Sequence, residues 1–175
     1  MFNYDNCVSL PLALIDNRLR CWCRFHIGST SSEWNRCFLD TVAKKTVIPE
    51  KFWHPYSKKI GSIDQNKLIQ AAIGGSVIPT LPMKLFLEVA GTEDSSPLGT
   101  NSIDLLDRGI ISLGERDVLL AHDRTFPGVI KSSKQSDKPA SVSMEFILLS
   151  LDALVSGGVC VNCGDNDAHL IFVKP

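Results

Sequence analysis

The residues best spaced to do chemistry lie near the C-terminus, where Cys160-Val161-Asn162-Cys163-Gly164 is followed by His169. Two cysteines separated by two residues and followed by glycine can wrap one side of a tetrahedral zinc. The pair supplies only half a site, and the other half would have to come from Cys7, Cys21, Cys23, Cys37 or His26. Cys21-Trp22-Cys23 could complete it, but on a strand Cys21 and Cys23 share one face while His26 points to the other. The simpler reading makes Cys21 and Cys23 small core residues and Cys160 to His169 a hairpin, so no cofactor is expected and structural zinc at Cys160, Cys163 and His169 is the alternative.

Nucleophilic catalysis asks for a serine or cysteine, a histidine and an orienting acid. Cys37, His54, His122 and Asp123 are available, but they sit in no motif that joins them, and no G-x-S-x-G elbow surrounds a serine. Neither Gly74-Gly75-Ser76 nor Gly157-Gly158 has the length of a phosphate loop, so no nucleotide cofactor is indicated.

Charge and aromatic residues are unevenly distributed. Residues 1 to 61 carry nine Lys or Arg against five acids, whereas the remainder carries nine against fourteen, and nine of the thirteen aromatics fall in that basic head. Within it Arg20, Trp22, Arg24 and His26 alternate with Leu19, Cys21, Cys23, Phe25 and Ile27. The pattern predicts a strand with a core face and an opposite face bearing cations and a tryptophan. Such a face, with Trp53 and His54 nearby in sequence, suits a protein partner or a single-stranded nucleic acid. A net charge of −1 favours the protein, because nonspecific nucleic-acid binding needs a broad positive field.

Those side chains need elements to hold them. Alternation from Val8 to Leu14, a turn at Asp16-Asn17 and the return strand predict a hairpin, with Pro11 marking an edge. Thr30 and Glu33 form a capping-box pair ahead of Trp34, Cys37, Phe38 and Val42, which predicts an amphipathic helix ending at Lys44-Lys45. Ser62 and Gln65 precede Leu68, Ile69, Ala72 and Ile73 in the same way, with Gly74-Gly75 as the stop, predicting a second helix. Further strands are expected near Met83 to Val89, Val118 to Ala121 and Val142 to Leu148, and a terminal hairpin from Val159 to Val173. A short helix is expected over 102–108 and a mobile loop over about 125–139.

The expected fold is therefore α+β: one globular domain over 1–175, with a mostly antiparallel sheet and two amphipathic helices packed on one face. The chain has 175 residues, 44% of them hydrophobic and 21% charged, with a mean hydropathy of +0.07. Those values exclude disordered, collagen-like and coiled-coil chains. No apolar run approaches the roughly 20 residues of a membrane span, and no basic segment precedes an apolar one at the N-terminus. The expected setting is the cytoplasm, with reduced cysteines.

The function expected from these features is that of a noncatalytic cytoplasmic protein-binding domain, of the immunity or antitoxin-like inhibitor kind, that blocks a partner macromolecule through Arg20, Trp22, Arg24, His26, Trp53 and His54. The alternatives are a nucleic-acid-binding module that uses the basic head, and a small enzyme with a catalytic Cys or His.

Overall fold

Alternation along the second strand fixes which of its sides becomes the core. In the computed structural model, which describes residues 7–15, 18–40, 43–62, 64–73, 76–91, 110–122, 145–163 and 168–173, β1 (Cys7–Ile15) and β2 (Arg18–Ile27) pair antiparallel, with Ile15 opposite Arg18. Cys21, Cys23, Phe25 and Ile27 are buried on one side of β2, as their period of two requires. Residues 7–12 of β1, Pro11 among them, pair with β11 (Ala168–Val173), and residues 13–15 pair with β2.

The remaining strands are β3 (Thr30–Ser31), β4 (Asn35–Asp40), β5 (Thr46–Ile48), β6 (Ile69–Ile73), β7 (Ser76–Ala90), β8 (Ile110–Ala121), β9 (Ile147–Ser150) and β10 (Val159–Cys163). Among the described residues, helix is confined to α1 (Glu50–Trp53), α2 (Ser57–Ile60), α3 (Leu151–Ser156) and two 3-10 turns.

β2, β4, β9, β5, β8 and β7 pair in that order, and β7 pairs back onto β2, so six strands close into a barrel. Closure removes the free edges of those strands and encloses one interior. Cys21, Phe25, Ile48, Leu87, Leu120 and Leu149 belong to the cluster that fills it. β10, β11 and the first half of β1 form a separate wing.

This architecture corrects the α+β expectation: the described chain is mostly strand, and no pair of amphipathic helices covers a sheet face. The segment expected as a helix from Trp34 to Val42 contains β4 instead. Cys37 and Phe38 are adjacent and both buried, which a strand between covered faces permits. Cross-strand partners on both sides, β2 antiparallel and β9 parallel, supply the hydrogen bonding that a helix would have supplied locally.

The second expected helix is a 3-10 turn at Gln65–Lys67 followed by β6. Ile73 pairs with Ser76, so Gly74-Gly75, read above as a helix stop, joins two antiparallel strands. Gly-Gly between paired strands is a hairpin signal. The helix expected over 102–108 and the loop expected over 125–139 lie outside the described residues. No helix among the described residues is long and apolar enough to cross a membrane.

Candidate active site at the end of β4

The last residue of β4 is Asp40, at the end of the run Cys37-Phe38-Leu39-Asp40. Its carboxylate is held from three residues on, because the Ala43 N–H donates both to Asp40 Oδ1, at 3.2 Å, and to the Asp40 carbonyl, at 3.3 Å. Asp40 is only partly buried, so the group is fixed without being sealed off.

Parallel pairing sets Asp40 level with Ser150, the last residue of β9 and the N-cap of α3. Ser150 donates its amide to Thr46 Oγ1 at 3.1 Å, and its hydroxyl accepts the Ala153 amide at 3.2 Å. Both hydroxyls are buried, Thr46 completely. Three elements, β5, β9 and α3, are thus cross-linked beside the carboxylate. A cavity of about 420 Å³ opens on the same strand end, with Ser150, Asp152, Lys44, Lys45, Lys84 and Arg116 in its lining. Chemically, a positioned carboxylate at a rigid strand end can take or give a proton.

The residues singled out from sequence are dispersed. Trp22 is buried, at 3% exposure, and packs with Trp34 and Ala90, while Arg20 is also buried and lies over the Trp22 ring at 5.4 Å. This corrects the expected solvated face at its centre and leaves Trp22 no open ring face on which a base could stack. The reason is topological: β7 pairs with β2 directly at Trp22 and Ala90, and β4 brings Arg36 opposite Trp22 on the other edge.

Arg24 and His26 remain partly exposed and converge on Glu88 of β7. Arg24 reaches Glu88 Oε1 through Nε, at 3.1 Å, and through Nη2, at 2.9 Å; His26 Nε2 meets the same oxygen. Burial alone would push the Glu88 carboxyl up, but the hydrogen bonds from His26 and Arg24 and their charges outweigh it and hold the group below its usual range.

Trp53 is buried and donates its indole N–H to the Ala121 carbonyl at 2.9 Å, with its ring edge-on to His122. His54 is exposed beside it. Their helical segment meets β2 through Tyr56 and Phe25, that is, on the face opposite Arg24 and His26, so Trp53 and His54 do not join that cluster.

Cys160 is exposed on β10, opposite Ile171, and His169 lies opposite Asn162. Among the described residues no group of three His, Cys, Asp or Glu is placed to hold a metal.

Asp40 and Glu88 were not singled out by their spacing. The signal for Asp40 was a short apolar run ending in an acid, which marks a buried strand and its exit as readily as a helix. Glu88 becomes significant only through the register that sets it opposite Arg24.

No family model matches the chain, and no curated protein matches it. Among solved structures it is similar to that of a retropepsin-like aspartic protease from Rickettsia conorii, with 11% sequence identity over 100% of both chains and a TM-score of 0.48.

Proposed function

We propose that this chain is one subunit of a carboxylate-dependent peptide hydrolase in which Asp40 is the acid-base residue. The observation that carries the reading is the placement of Asp40, partly exposed at a barrel strand end, fixed by the Ala43 amide and in register with Ser150, whose buried hydroxyl meets that of Thr46. Hydrolysis of an amide by carboxylates needs one to activate water and another, protonated, to give its proton to the leaving amine; two that lie close together share a proton because both cannot ionise at once. A second copy of the chain supplies the second Asp40. Among the described residues the wing strand β10 and the strand β6 each have a neighbour on one side only, which leaves backbone edges for an extended peptide or a second copy to pair with. Free cysteines at 21, 23, 37 and 160 support a reducing compartment such as the cytoplasm.

The test is cleavage of a quenched-fluorescence peptide library between pH 4 and 7 by wild type and Asp40→Asn, with sedimentation to determine whether the active species is a dimer. Cleavage that Asp40→Asn abolishes supports the reading.

A noncatalytic protein-binding domain is the second reading, favoured by Phe86, which is 41% exposed and edge-on to His26 beside Arg24. Aromatic and arginine side chains are the ones that most often anchor interfaces. Nothing in the barrel or in the comparisons supports the immunity or antitoxin-like inhibitor role expected from the sequence.

A further inference from the structure

We infer that Ser31 is an activated nucleophile on the outer face of β2, with His26 as its base and Glu88 as the group that orients the imidazole. The arrangement follows from two registers. The β2–β3 hairpin turns through Gly28-Ser29, with Gly28 at φ +61°, a conformation that favours glycine, and it pairs Ile27 with Thr30 and His26 with Ser31. Directly opposite residues of an antiparallel pair put their side chains on the same face in contact. β7 pairs Glu88 with Arg24 and Phe86 with His26, so Glu88 lies diagonal to His26 on that face.

The resulting chain of hydrogen bonds is continuous. Ser31 Oγ is 2.9 Å from His26 Nδ1, and His26 Nε2 meets Glu88 Oε1. An ionised carboxylate only accepts, so in the neutral imidazole the tautomer that donates Nε2–H to Glu88 leaves Nδ1 to accept the Ser31 O–H. That is the base form. The imidazole is also confined by Phe86, edge-on at 5.3 Å, and Glu88 is fixed by Arg24, whose guanidinium stacks on Trp34 at 4.6 Å. A nucleophile within hydrogen-bond reach of a base that a third group orients is the signature of an activated hydroxyl. Ser31 is exposed and accessible to a reagent.

The site is open, so the substrate class is a small activated ester. Ser31 Oγ attacks the carbonyl carbon and its proton passes to His26 Nδ1. The bond to the leaving oxygen breaks, and that oxygen takes the proton from Nδ1. Water then attacks acyl-Ser31 with the same proton relay, releasing the carboxylic acid and restoring the serine.

The experiment uses the full-length protein and a fluorophosphonate probe, with which a serine exchanges its proton for the phosphonyl group and fluoride leaves. Peptide mapping is expected to show the adduct on Ser31, at a rate that falls about a hundredfold, the lower end of what general-base help gives, in His26→Ala. Ser31→Ala is expected to lose the adduct and the control Ser29→Ala to keep it. An unlabelled Ser31 in the wild type, or labelling of Ser31 no faster than of Ser29, overturns the inference without reliance on any variant.

Discussion

Thr46 and Ser150, 104 positions apart in sequence, meet at the exit of the barrel, where the Thr46 hydroxyl accepts the Ser150 amide at 3.1 Å and contacts its hydroxyl at 3.3 Å. The pair joins the start of β5 to the start of α3 beside the Asp40 turn. Thr46→Val keeps the shape and removes the acceptor, leaving the buried Ser150 amide unpartnered. It is expected to cost about 1–3 kcal/mol of stability by denaturant titration, and Thr46→Ser to restore most of it. Equal stability of Thr46→Val and wild type would mean that the bond does not brace the strand end.

Trp22→Ala removes a ring buried with Trp34 and Ala90 and is expected to destabilise by about 3–5 kcal/mol. Phe86→Ala, on the exposed part of β7, is expected to stay within about 0.5 kcal/mol of wild type. Thermal or denaturant midpoints for the two variants check the assignment of one residue to the interior and the other to the surface. A small effect for Trp22→Ala would return that side chain to the surface.

The hairpin of β1 and β2 was legible because alternation at period two has one strand solution, and the same holds for Val159 to Val173. The Trp34 to Val42 segment was not, because a strand covered on both faces loses its alternation. Cys37 and Phe38 then read as neighbours on a helical stripe. Barrel closure depends on the pairing of β2 with β7 and of β4 with β9, contacts between residues sixty or more positions apart that no local pattern encodes. Of the candidate sites, Arg24 and His26 were visible in sequence. Glu88, Ser31 and Asp40 acquire their roles from register alone.

The Glu88 carboxyl titrates below its unfolded value because Arg24 and His26 hold it ionised. A lowered folded value means that its contribution is present above the unfolded value, near about 4.3, and is lost as pH falls through the lower folded value. Stability measured from pH 6 down to pH 3 is expected to decline less steeply in Glu88→Gln than in wild type. Superimposable slopes would show that the cluster does not couple to folding.

Cys21 lies directly opposite Cys37, and Cys23 is on the same face; all three are fully buried. Burial first, and then the neighbouring Cys21 and Cys23 thiols, push the Cys37 thiol well above its ordinary range. Under native conditions an alkylating reagent is expected to modify Cys160 rapidly and to leave Cys21, Cys23 and Cys37 unmodified until the protein unfolds. Peptide mass mapping over time decides this, and early labelling of Cys37 would contradict the closed barrel.

Peptide cleavage by wild type and Asp40→Asn, compared at matched concentrations across the monomer–dimer range, tests the central claim most directly. Cleavage is expected to grow with the dimer fraction, to have an acidic optimum, and to fall by at least about a hundredfold in Asp40→Asn while the fold is retained. A folded, dimeric wild type that cleaves no peptide, or an Asp40→Asn protein as active as wild type, would contradict it.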